Sequence, residues 1–225
     1  MMLYFNCFKK ITYLSLCVLS LFITTPAFAI TGDITTCFTP GGNCAQQIIS
    51  AINHENNSIL VQAYQLTSAD IAKALVDAKR RGATVKIILD KTQYTQKSYS
   101  SATFFDHADI PVWIDNKPAI AHNKIIILGD TEVITGSYNY SKNAEYRNIE
   151  NLLIIKSKSL ATVYTQNFQK RLSASMTLSR YENMKNDLLS NSLNKKDNRR
   201  HRKDNNFLEK FYLIRNSYFS ITIIS

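Results

Sequence analysis

The sequence is short of cysteine, of acidic residues and of long apolar runs, and each shortage excludes something. It has 4 cysteines, and Cys7 and Cys17 sit in a leading segment that reads as removable. Cys37 and Cys44 remain with no histidine near them, too few ligands for a structural zinc site. They flank the Pro-Gly-Gly turn of FTPGGN, which can bring the two sulfurs together, so a disulfide is expected in an oxidising compartment.

The one long apolar run, ITYLSLCVLSLFITT, is shorter than the roughly 20 residues a membrane span needs. Lys9 and Lys10 precede it, and PAFA closes it with small residues at Ala27 and Ala29. This pattern predicts a secretory signal over residues 1–29, cleaved after Ala29, and a secreted or periplasmic mature chain. No second run of spanning length follows.

Acid is the third shortage: 17 Asp and Glu stand against 27 Lys and Arg. Without Lys9 and Lys10 the balance is 25 against 17, a net charge of +8. A field of that sign favours polyanions, either nucleic acid or an anionic membrane surface, and does not choose between them. With 45% hydrophobic and 20% charged residues the chain is globular, and 225 residues hold one ordinary domain plus extras.

What is present reads as alternating strands and helices. Asn43 is a candidate N-cap for a helix with Ala45, Ile48, Ile49 and Ile52 on one face, and SILVQAYQL follows as a buried strand. Thr67 and Asp70 resemble a capping box opening a helix with Ile71, Leu75 and Ala78 on one side, closed by KRRG before the strand TVKIILD. A strand, a helix and a strand in about thirty residues predict a right-handed crossover between parallel strands, hence an α/β domain. A weaker helix is expected over 96–107, then a short strand IPVWID, a hairpin, a buried strand NIENLLII, and a closing helix with Leu160, Tyr164, Phe168 and Leu172 on one side. The globular domain is expected over 30–178. KKDNRRHRKD then marks residues 179–225 as a basic, solvated, flexible tail able to touch phosphates or lipid head groups.

The hairpin HNKIIILGDTEVITGSYN carries the chemistry. Residues two apart on a strand share a face, so His122 projects with Lys124 and Ser137 with Asn139. If Gly129 and Asp130 form a two-residue turn, all four share one face; a four-residue loop preserves that parity, and a three-residue loop breaks it. Lysine, asparagine and serine donate to the oxygens of a phosphoryl group, and an imidazole can attack phosphorus or carry a proton. Glu150, with Asn148 at the same parity, lies on the next strand and could hold the other imidazole nitrogen. Singly, each of these residues reads as an ordinary surface or strand-end group, and Gly136 as a bulge; together on one face the polar groups read as an active site. Tyr138, Tyr140 and Tyr146 flank it and could stack on bases, lie among lipid tails or simply pack.

His122, Lys124, TGSYN and NIEN resemble the HKD signature of the phospholipase D superfamily in its compact single-motif form, and the resemblance covers about residues 34–176. It implies a phospholipase D-like fold, a mixed, mostly parallel sheet flanked by helices. It implies a phosphodiesterase that needs no metal and no cofactor, in which His122 forms a phosphohistidine, Lys124, Ser137 and Asn139 bind the phosphoryl oxygens, and Glu150 orients the histidine. A chain with one motif is expected to pair with itself, placing the active site on the two-fold axis of a homodimer. The family's aspartate, five positions after the lysine, is Gly129 here; Asp130 is a local substitute or an ordinary turn residue. Substrate readings are nucleic acid, towards which the charge leans, phospholipid, and a non-catalytic hold on anionic phosphodiesters.

Overall fold

The computed structural model describes residues 33–94 and 100–221. The signal segment expected over 1–29 lies outside the described residues, as does the beginning of the helix expected over 96–107.

Eight strands form one sheet: β1 (Asp33–Thr39), β2 (Ser58–Ala63), β3 (Thr84–Asp90), β4 (Val112–Asp115), β5 (Lys124–Leu128), β6 (Glu132–Gly136), β7 (Glu150–Lys156) and β8 (Met176–Thr177). Their order across the sheet is β1-β7-β6-β5-β2-β3-β4-β8. The sheet is mixed and helix-flanked, as expected, but not mostly parallel: only β2–β3 and β3–β4 pair in parallel. Those three strands are the ones a helical crossover joins, whereas a tight turn reverses β5 into β6 and the segment carrying α4 returns the chain antiparallel as β7.

Helices α1 (Cys44–His54) and α2 (Ala69–Arg80) cover one face. There Ile48, Ile52, Ile71 and Leu75 bury against Ile59, Val61, Ile87, Leu89 and Ile126. Helix α5 (Lys158–Ala174) covers the other, packing Ala161 and Phe168 on Leu60, Ile88, Ile125, Ile127 and Val133. The central strands β2, β3 and β5 thus alternate their side chains between two dry layers. The expected helix around Leu160, Tyr164, Phe168 and Leu172 is present, capped by the Ser157 side chain. Helices α3 (Ser101–Asp106) and α4 (Lys142–Tyr146) are short.

Capping differs from the sequence reading in two places. The α2 cap is Ser68, whose side chain accepts from the Ile71 N–H, not Thr67. Asn43 precedes α1 with φ 53°, and its side chain makes no cap bond. Glu145 of α4 serves that end instead: its carboxylate accepts the Ala45 N–H at 2.9 Å and the Tyr138 hydroxyl at 2.7 Å. Cys37 and Cys44 form the expected disulfide. The NIENLLII strand, β7, is only partly buried, because β1 beyond it is mostly exposed.

The segment expected to be a flexible tail is helical over its described residues. Helix α6 runs from Leu178 to Ile221, with Leu178 and Tyr181 buried at its root and Tyr181 edge-on to Tyr94.

Candidate active site

The carboxyl ends of β2, β3 and β4 lie at one end of the sheet, together with the start of β5, the end of β6 and the start of β7. This is the end at which open α/β sheets bind ligands. Lys124 opens β5 opposite Ala63 of β2, and its side chain is buried. His122 lies just before β5 and is exposed.

The hairpin reaches this arrangement through a three-residue turn and a bulge. Ile125 faces Thr135 and Leu128 faces Glu132, so the turn Gly129–Thr131 has three residues, not two. Continued, that register puts Lys124 opposite Gly136 and sends Ser137 to the α5 side of the sheet. A bulge reverses this. The N–H groups of Ser137 and Tyr138 both donate to the Asn151 carbonyl, at 3.1 and 3.2 Å, so two residues face one. Gly136, at φ 152°, makes the bulge possible, since a Cβ there would lie 2.3 Å from the Asn151 oxygen.

Ser137 therefore turns towards Glu150, donating to its Oε2 at 2.6 Å. Its own oxygen accepts from the Asn151 N–H at 3.0 Å. Asn148 Nδ2 donates to Glu150 Oε1 at 2.9 Å. The Glu150 carboxylate is thus held by Ser137 and Asn148, where the sequence suggested the imidazole. The Asn139 carbonyl Oδ1 is buried and has no hydrogen-bond partner among the described residues.

The imidazole of His122 has two close neighbours. Lys124 Nζ stands 3.2 Å from Nε2 and 3.3 Å from Nδ1, so the ammonium can donate to whichever nitrogen holds the lone pair. The Tyr64 ring lies 4.6 Å from the imidazole, centroid to centroid, and 5.2 Å from Lys124 Nζ. Burial lowers the Lys124 pKa, while the Glu150 carboxylate pulls it back up. The site thus combines an exposed imidazole, a buried cation and a carboxylate with its donors, which is the chemistry of phosphoryl binding and transfer.

Asp130 is not part of this group. It sits in the turn at the opposite end of β5, paired with Lys158 at 3.0 Å in solvent, and that lysine lowers its pKa. Tyr138 and Tyr140 are fully buried core residues; Tyr146, of the three flanking tyrosines, is exposed.

Sequence reasoning missed what holds His122. The Asp90 carboxylate, buried at the end of β3, accepts the Ala121 N–H at 2.7 Å and the Thr92 N–H and hydroxyl at 2.9 and 2.7 Å. Lys91 Nζ donates to the Pro118 carbonyl at 2.9 Å, and the Tyr64 N–H to the Asn123 carbonyl at 2.8 Å. Burial alone would raise the Asp90 pKa, but the Ala121 and Thr92 donors outweigh it and hold the carboxyl below its usual range. The Asp-Lys-Thr run at the end of a buried strand was the available signal.

A His-x-Lys pair and a held carboxylate at the carboxyl end of a mixed sheet define a phosphodiester-processing enzyme. Residues 48–172 match the family model described as cardiolipin synthase, PLD-like domain, and the chain belongs to this phospholipase D-like family of phosphodiester hydrolases. Proteins named Phospholipase D from Rickettsia prowazekii and Rickettsia felis are 41% and 43% identical over 143 and 138 residues. These matches cover 64% and 61% of this chain and 69% and 68% of theirs. Nuc from Salmonella typhimurium, a phospholipase D family member, superposes with TM-score 0.60 at 32% identity, over 65% of this chain and 98% of Nuc.

Proposed function

We propose that this enzyme is an exported phospholipase D that cleaves the head-group ester of phospholipids through a phosphohistidine. The observation that carries the chemistry is the contact of His122 with Lys124 beside the Ser137–Glu150 pair. A lone pair of the imidazole attacks phosphorus and forms the P–N bond, while the P–O bond to the head-group alcohol breaks. Lys124 and Asn139 donate to the phosphoryl oxygens as charge builds on them, and Ser137 joins them when its hydroxyl turns from Glu150 to the phosphate. The leaving oxygen takes a proton from the His122 of a second copy, which then draws one from water as that water displaces the first imidazole. Phosphatidic acid leaves and both rings return to their starting state. This cycle needs two imidazoles, and a two-fold axis supplies the second.

Lipid is favoured over nucleic acid by the rim of the site. Ile120, two residues before His122, is 57% exposed and Ile149, beside Glu150, is 91% exposed. Phe38, on β1 opposite Asn151, is also exposed. Such apolar groups at the mouth suit acyl chains. The names of the Rickettsia relatives support the same reading. A second reading, cleavage of nucleic acid, is favoured by the net charge of +8 that remains without residues 1–29.

The test is a side-by-side assay on phosphatidylcholine vesicles and plasmid DNA with EDTA present. Head-group release, unaffected by EDTA and lost in His122→Ala, is expected. DNA nicking without head-group release would transfer the assignment to the second reading, and neither product would sink both. In mixtures of wild-type and His122→Ala chains, activity is expected to fall faster than the wild-type fraction. A strictly proportional fall would remove the shared site.

A further inference from the structure

Helix α6 leaves the domain after its root, and between Met184 and Leu208 it carries large apolar side chains in solvent. Leu188, Leu189 and Leu193 are 59%, 51% and 54% exposed, and Phe207 and Leu208 are 68% and 57% exposed. Between these two groups Lys195, Lys196, Arg199, Arg200, Arg202 and Lys203 put six cations into nine residues. Five of them, with Asn206, line one groove along the helix.

The two kinds of side chain share a face. Leu189, Leu193, Lys196, Arg200, Lys203 and Phe207 follow one another at steps of four, three, four, three and four, which on a 3.6-residue period is a single stripe about 27 Å long. The stripe reads apolar, apolar, cation, cation, cation, apolar.

We propose that this stripe is a docking surface for an anionic lipid bilayer, with α6 lying along the head-group plane. The cations meet lipid phosphates, while the two leucines and the phenylalanine enter the acyl boundary on either side of them. Lysine and arginine stems are long enough to pass over apolar surface and keep their charges at the phosphate level. Nucleic acid would match the cations but gives Leu189, Leu193 and Phe207 nothing to bury in. A second copy laid on the same stripe would set cation against cation. No described helix is long and apolar enough to cross a membrane, which fits a helix that lies on the surface. The proposal stands whichever diester the catalytic site cleaves.

Sedimentation of the full chain with phosphatidylcholine vesicles, with and without phosphatidylglycerol, tests it. Binding is expected only with the anionic lipid. A Lys196→Gln/Arg200→Gln/Lys203→Gln chain should lose about fivefold in partitioning per cation, roughly 100-fold together. A Leu189→Ser/Leu193→Ser/Phe207→Ser chain should lose binding as well. Both should keep the wild-type rate on a small soluble diester such as bis(4-nitrophenyl) phosphate, which shows that the domain is intact. Equal binding to both vesicle types, or binding unchanged in either variant, would overturn the proposal. So would tight binding to a DNA duplex that the triple glutamine chain loses and the triple serine chain keeps.

Discussion

Asp90 Oδ2 accepts the Ala121 N–H at 2.7 Å, joining the end of β3 to the residue that precedes His122. The imidazole sits on an irregular segment, so its position depends on such ties more than on the sheet. Asp90→Ala is expected to lower kcat about 10- to 100-fold, as displacement of a reacting group by an ångström does. Asp90→Asn, which keeps one acceptor oxygen, should lose less. Steady-state kinetics on a soluble diester check both, with circular dichroism confirming the fold.

The same carboxylate gives a pH signature. Its folded pKa is depressed, so the stability it contributes is fully present above the unfolded carboxylate pKa and lost as pH falls through the folded value. Urea midpoints should therefore drop at acid pH in the wild type. Asp90→Ala should be the less stable chain at neutral pH, and its midpoint should fall less steeply in acid.

Lys124 gives the opposite limb. Burial depresses its pKa, so the ammonium is lost at lower pH than for an ordinary lysine, and kcat/KM should fall on the alkaline side below the usual lysine range. The Glu150 carboxylate opposes this shift. Glu150→Gln should therefore move the alkaline limb to still lower pH, a displacement that a pH–rate profile reads directly.

Gly136→Ala combines a positive φ with a Cβ pressed against the Asn151 carbonyl. Strain and clash together should cost about 2–4 kcal/mol. Activity should fall with stability, because the bulge that aims Ser137 at Glu150 is lost. Chemical denaturation and activity on the same preparation check this.

Asp115, buried on β4, is held by Arg171 of α5 through Nε at 2.9 Å and its terminal nitrogen at 2.6 Å. Arg171→Ala leaves that carboxylate buried without its cation and should cost about 3 kcal/mol. Arg171→Ala with Asp115→Ala should recover part of the loss. Asp115 is the register partner of Asp90 at the same end of the sheet, so the loss in Arg171→Ala should carry into kcat as well.

The elements fixed by local pattern were the most legible in the sequence. The unit β2–α2–β3 is marked by Ile71, Leu75 and Ala78 on one helical face and by Gly82 after KRR, and each signal is complete within a few residues. His122, Lys124 and Ser137 were legible as a group, yet by the wrong geometry: the turn has three residues, and only the backbone of Gly136 returns Ser137 to the site. No alternation rule contains that bulge. Asp90 was missed because its partner Ala121 is 31 residues away, and the cap that Glu145 provides for α1 spans 100 residues. The preference for antiparallel pairing was hidden because β5, β6 and β7 carry the same apolar composition as parallel strands. Residues 179–225 read as a tail because their charge masks the helix Leu178–Ile221, which little described tertiary packing supports.

Among the described side chains of α6 the buried ones lie in its opening turns: Leu178 and Tyr181 are buried, and Tyr181 meets Tyr94 just beyond the Asp90 turn. Everything past that root is an outrigger on a body whose sheet is already finished. A protease should trim its exposed turns and stall at the tyrosine, leaving a stump that still clasps β8 to the rim of the sheet.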